Sequence, residues 1–262
     1  MIAGTMRFLG TAAAGLSIVI AVPQASAQGS AGSSAKLEPR YLIDIPTAGM
    51  IDRGNFAVDI DFYQAGGVLA GFSVGIMDRL SMGLSYGGSR LIGGEQPVMN
   101  ELPGVNVKLR IIEEGFLFPA LVVGFDSQGK DGYRKDLNRY AIKSPGFYAA
   151  ISKNYATLGF LSLHCGVNYS LERGDGDKDP NVFAGIEKTI GPAVSVMAEY
   201  NMALNDNDGN AIGRGKGYLN AALKVSVGGG VTLGVNLKDL ARNADDGSVA
   251  NRTVRIEFSK PF

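Results

Sequence analysis

Residues 56–63 read FAVDIDFY, in which Phe56, Val58, Ile60 and Phe62 alternate with Ala57, Asp59, Asp61 and Tyr63. A β-strand turns successive side chains to opposite faces, so this stretch has one apolar face and one more polar face. The run extends over 53–63, and comparable runs follow over 67–76, 80–88, 103–112, 118–126, 146–154, 157–170, 181–189, 193–203, 217–227, 231–239 and 251–262. These lengths suit tilted transmembrane strands of about 9–11 residues. Strands of this kind have many apolar faces to cover at once. A closed barrel in a bilayer covers them while pairing every backbone group. The expected fold class is therefore all-β, an antiparallel transmembrane β-barrel of about twelve strands.

The connections give an independent test. Residues 77–79, 155–156, 190–192 and 228–230 are tight turns, whereas 88–102, 126–145, 172–180, 204–216 and 240–250 are long and polar. Short turns at one end and long loops at the other are the signature of an outer-membrane barrel, with 64–66 as the exception here. An even strand number puts both termini on the turn side. The faces agree: Val68, Ala70, Phe72 and Val74, then Val105, Val107, Leu109 and Ile111, then Leu161, Leu163, Cys165 and Val167, then Leu219, Ala221, Leu223 and Val225 are outward candidates. A slip of one residue would put Lys108 or Arg110 into lipid, at roughly 2–4 kcal/mol each near the midplane. Phe62, Tyr86, Phe125, Tyr169 and Tyr200 fall where strands leave the bilayer and read as an outer aromatic girdle. The terminal Phe262 suits recognition by the barrel assembly machinery. A soluble β-sandwich is the competing architecture, and it would need its long edge strands blunted.

Composition narrows the function classes. Lys+Arg 25 against Asp+Glu 25 leaves no net charge, and nothing supports a nucleic-acid partner. Apolar content of 45% is far below that of a helical membrane protein, as expected when only alternate residues meet lipid. Gly 37 is about twice the usual share. The single cysteine, Cys165, excludes an intrachain disulfide, and no spacing suggests a metal or other cofactor.

Three segments are expected: a signal peptide over 1–27, a periplasmic linker over 28–52, and the barrel over 53–262. Arg7, the apolar stretch 8–22 and Ala25-Ser26-Ala27 supply the parts of a cleaved export signal, which implies delivery to the outer membrane. Residues 28–36 are mostly Gly, Ser and Ala and read as flexible; 37–52 are more apolar and are expected against the periplasmic mouth.

The expected lumen charges are Asp59, Asp61, Lys108, Arg110, Asp126, Glu187, Glu199, Lys224, Lys238, Arg255 and Glu257. They are read first as structural pairs in a wet interior and second as the lining of a narrow solute path. His164 shares its face with Ser162, the minimum for a hydrolase, but no nucleophile elbow accompanies it, and the chain is not read as an enzyme. Asp175, Asp177 and Asp179, like Asp206, Asp208 and Asn210, read as solvated turn residues. A calcium loop beginning at Asp206 would need an acid where Gly217 stands. Lys130, Tyr133, Arg134, Lys135, Arg139, Tyr140 and Lys143 form a basic, aromatic loop suited to an anionic polysaccharide or to lipopolysaccharide phosphates.

RYLIDIPTAG at 40–49, VGFDSQG at 123–129, RYAIKSPGFYAAISKNY at 139–155 and HCGVNYSLE at 164–172 resemble a bacterial outer-membrane family related to the YjbH/GfcD exopolysaccharide proteins. The resemblance implies a barrel with a part in capsule or exopolysaccharide export. This chain departs from it in lacking a lipid-accepting cysteine after the signal and in offering a single barrel. The sequence thus leads to an envelope barrel contacting outer-membrane lipids and polysaccharide, with a narrow porin as the alternative and a hydrolase third.

Overall fold

The computed structural model describes residues 29–94, 96–249 and 252–262. The expected signal peptide lies outside the described residues. The strands, in chain order, are β1 (Asn55–Tyr63), β2 (Gly67–Met77), β3 (Leu80–Ser89), β4 (Val98–Met99), β5 (Gly104–Ile112), β6 (Ala120–Asp126), β7 (Lys130–Arg134), β8 (Arg139–Ile142), β9 (Gly146–Ala156), β10 (Phe160–Tyr169), β11 (Asn181–Ile190), β12 (Val194–Asn201), β13 (Tyr218–Gly228), β14 (Val231–Leu237) and β15 (Arg252–Pro261). All but β4, β7 and β8 form a closed antiparallel barrel of twelve strands, in which β15 returns to pair with β1. The twelve expected runs coincide with these twelve strands to within a few residues. The described residues contain no α-helix.

One end of the barrel carries the short turns 78–79, 157–159, 191–193 and 229–230, with the longer turn 113–119 and both ends of the barrel chain. The other carries the loops, and β7 and β8 form a separate hairpin inside the loop between β6 and β9. Outward positions are apolar and exposed, as at Phe72, Leu84, Leu109, Leu163, Val167, Leu223 and Val235. The exposed Cys165 belongs to this face. At the turn end Phe262 packs on Phe56, ring centroids 5.4 Å apart, and its N–H donates to the Gly54 carbonyl, pinning the last residue beside the closing seam.

That seam carries an electrostatic problem. Asp61 stands opposite Arg255 and pairs with it, but Asp59 stands opposite Glu257, and like charges directly across a strand pair are unfavourable. Lys224 answers Glu257 at 2.8 Å, and Arg40 answers Asp59 at 2.6 Å. Arg40 is not a barrel residue.

Of residues 28–52, expected as a linker with its later part against the periplasmic mouth, 29–36 lie along the turn-end rim and 40–51 run inside the barrel. Leu42, Ile43, Ile45, Ala48 and Met50 are buried with the inward side chains of Ala120, Val122, Tyr148, Ala150, Phe183, Met197 and Ala222. The physical reason is that those wall residues would otherwise face water: burying an aliphatic side chain is worth roughly 1.5–3 kcal/mol, and the segment brings several.

Candidate functional site: the occupied lumen

The N-terminal segment is held in two parts. Its first residues follow the turn-end rim, where Ser30, Ala31 and Gly32 donate their backbone N–H groups to Thr232, Ser226 and Ser195 on β14, β13 and β12. The fit is close enough to exclude side chains: a Cβ on Gly29 would lie 2.3 Å from the Ser226 and Thr232 hydroxyl oxygens, and one on Gly32 would lie 2.2 Å from the Pro192 carbonyl. The glycine-rich composition that reads as flexibility is here a requirement for contact.

The second part, 38–50, is held by charge. The Glu199 carboxylate accepts the successive N–H groups of Ile43 (2.9 Å), Asp44 (2.9 Å) and Ile45 (3.2 Å), with Asn220 donating a fourth bond at 2.8 Å. Converging backbone N–H groups of this kind make an anion-binding concavity, here filled by a wall carboxylate. Lys108 does the reverse: its ammonium donates to the carbonyls of Arg40, Thr47 and Gly49, each at 3.0 Å, which uses all three of its protons. Arg255 adds a bond to the Ile43 carbonyl at 2.8 Å, and Arg110 adds bonds to Ala48 and Glu38. The Tyr41 hydroxyl donates to Asp126, while Lys108 and Lys130 lie 5.5 and 4.9 Å from its ring centroid. Lys238 takes Asp44 at 2.8 Å and Asp131 at 2.9 Å. Burial pulls the Lys238 ammonium down, but the two carboxylates outweigh it and leave its pKa above the ordinary lysine range.

The eleven expected lumen charges therefore do face inward, but most of them are addressed to the segment rather than to one another. Glu257 receives Ser30 at 2.6 Å as well as Lys224, Lys224 reaches the Tyr41 carbonyl at 3.4 Å, Asp61 acts through Arg255, and Glu187 lies beside Ser195. A cavity of about 70 Å³ remains between the segment and the wall near Asp59, Asp126 and Glu257. It has room for a few waters. The segment's 40–49 stretch is the first of the four sequences that carry the family resemblance, and its role is to fill the lumen.

The Ser162–His164 pair that the hydrolase alternative needs does not form. Ser162 donates to Asn154 at 2.5 Å, and His164 Nδ1 pairs at 2.7 Å with Ser152, whose hydroxyl also accepts the Ala48 N–H. His164 Nε2 is buried without a hydrogen-bond partner. Sequence distance hid Ser152, which lies opposite His164 on β9.

The expected glycan loop is also largely turned inward. Arg139 is fully buried between Asp175 (2.5 Å) and Asp206 (2.6 Å), and Lys143 pairs with Asp175 at 2.8 Å. Tyr140 is buried, Lys130 points to Tyr41, Tyr133 donates to Asn138, and Arg134 pairs with Asp136 and Asp246, which leaves Lys135 exposed. Asp175, Asp177 and Asp206, expected as solvated turn residues, are buried partners of these cations or of nearby N–H groups. All of these placements have one cause: the hairpin β7–β8 folds over the loop end, and buried cations require buried acids. No group of acidic, histidine or cysteine side chains among the described residues is arranged to hold a metal ion. At the back of these loops Glu172 accepts the N–H groups of Tyr140 and Ser144; burial raises its pKa to about 7 against those two bonds.

No protein-family model and no curated protein matches the chain. Solved structures do. It is similar to the KdgM porin, at a TM-score of 0.48 and 10% identity over 79% of this chain and 99% of that one. The KdgM porin in complex with disordered oligogalacturonate gives a TM-score of 0.47 at 10% identity, again over 79% and 99%. The Acinetobacter baumannii outer membrane protein Omp33 gives 0.45 at 9% identity, over 79% of this chain and 97% of that one. The resemblance to YjbH/GfcD-type proteins gains no support from a matching family.

Proposed function

We propose that the protein is an outer-membrane barrel of porin type kept closed by its own residues 29–52, through which small solutes cross only when that segment is displaced. The observation that carries this reading is the way Glu199, Lys108 and Arg255 bind the segment's backbone. A wall that holds its filling by polar groups stays wettable once the filling leaves, whereas a wall sealed by its own apolar side chains does not. The apolar exterior, together with Tyr86, Tyr169 and Tyr200 exposed near its loop end, supports a bilayer location. Polysaccharide export is the weaker reading, because two of the cations that would take an anionic chain, Arg139 and Lys143, are buried on Asp175 and Asp206.

Planar-bilayer recording tests it. The whole protein is expected to show no steady conductance, and a variant lacking 29–52 to show stable ohmic channels. Steady conductance by the whole protein, or silence from a folded deletion variant, would overturn the reading; the second result would leave an envelope scaffold.

A further inference from the structure

The outer surface of the wall formed by β5, β6, β9 and β10 carries two adjoining depressions that the lumen does not use. The lower, of about 610 Å³, is apolar, opens widely to the outside and contains one conspicuously small side chain. Register aligns Leu109, Val123, Ala149 and Val167 in a row across the four strands, and Ala149 is the only one with nothing beyond Cβ. The next row toward the loops is Val107, Phe125, Phe147 and Tyr169, with the two phenylalanine rings 5.0 Å apart. Above that row a second depression of about 230 Å³ shares Phe125 and is lined by polar groups, among them Asn138, Tyr133 and Arg173. The Arg173 guanidinium is stacked 4.8 Å over the Tyr169 ring. Tyr133 donates to the Asn138 side-chain oxygen at 2.6 Å, which leaves the Asn138 amide protons as further donors.

An apolar trough, then an aromatic row, then a cation is the profile of an amphiphile with a negative headgroup. We propose that this surface binds one phosphate-bearing membrane lipid, an acyl chain lying over Ala149 and the phosphate on Arg173. The inference rests on the reading that lipid covers the barrel exterior. Charge complementarity selects the headgroup: arginine presents a planar fork matched to phosphate oxygens, and stacking on Tyr169 holds that fork at the interface. Glu172, also in the upper depression, accepts two backbone N–H groups on one carboxylate oxygen, and burial raises its pKa to about 7, which lessens the negative charge it presents there. A neutral lipid would fill the trough and leave Arg173 unmatched.

The test uses the whole protein in a neutral detergent, with native mass spectrometry to read bound lipid. The probes are bis-phosphorylated lipid A, its dephosphorylated form with the same chains, and inorganic phosphate. One equivalent of the phosphorylated lipid is expected to stay bound, with the dephosphorylated form weaker by roughly tenfold or more. Arg173→Gln should bring the first down to the second, and Ala149→Phe should weaken both; each site lies on the outer surface, and circular dichroism checks the fold. Equal retention of the two lipids, no effect of either substitution, or competition by inorganic phosphate at the lipid's own concentration would each overturn the proposal. Failure of the underlying membrane reading looks different: the protein would then stay folded and monomeric in buffer without detergent.

Discussion

Along β10, Leu163, Cys165 and Val167 face outward while Ser162, His164 and Asn168 face the lumen, and the two sets are held by different kinds of force. The outward set needs only to be apolar, because contact with hydrocarbon has no direction. Each member of the inward set has a particular partner: Asn154 for Ser162, Ser152 for His164, and the Pro145 carbonyl for Asn168. One face of the strand is specified by a class of residue, the other by named neighbours, and one of these, Ser152, in turn accepts the Ala48 N–H of the segment inside the barrel.

The sharpest way to break that contrast is at Glu199. Glu199→Ala leaves three N–H groups of the N-terminal segment without an acceptor, those of Ile43 and Ile45 buried and that of Asp44 partly so, at about 1–3 kcal/mol for each buried group, so a loss of a few kcal/mol in segment docking is expected. Hydrogen exchange at Ile43, Asp44 and Ile45 reads it directly, and unchanged protection there would show that the carboxylate is dispensable. Gly185→Val is a smaller insult of a steric kind. A Cβ at Gly185 would lie 2.3 Å from Leu42 Cδ2, and overpacking of this sort costs about 1–3 kcal/mol. The matching outward change, Leu163→Val, should change the unfolding free energy by less than about 0.5 kcal/mol, read from denaturant titration. Comparable losses from the two would erase the distinction between the faces.

The smallest effect expected is a pH dependence confined to the loops. Glu172 has a folded pKa raised to about 7, so its contribution to loop docking is fully present below the ordinary glutamate range and is lost as pH rises through about 7. Protease nicking within 127–145 should therefore increase from pH 5 to pH 8, and Glu172→Gln should flatten the curve. A nicking rate that falls over the same interval would reverse the sign assigned to this carboxyl.

Strand number, strand limits and the outward face were legible because alternation and turn length are local signals, each contained within some ten residues. The lumen was not. Phe183, Met197 and Tyr148 occupy inward positions of β11, β12 and β9, and large apolar side chains there are out of place in a water-filled interior. Taken with the apolar character of 42–51, they were the available sign that something covers them. The glycine-rich 29–32 stretch pointed the other way, since composition cannot distinguish glycine chosen for freedom from glycine chosen for close approach. The burial of Arg139 and Lys143 is not legible for a related reason: the partners Asp175 and Asp206 are 36 and 67 residues from Arg139, beyond any local pattern.

Ser30 meets Glu257, and Arg40 relieves the carboxylate that Glu257 would otherwise confront across the seam. The pairing of β15 with β1 therefore also completes the polar site that receives Ser30 and Arg40, so closure of the wall and docking of the segment share the same carboxylates. A chain that stopped before β15 would lose the closing strand and, with it, one of the anchors that keep Ser30 in place.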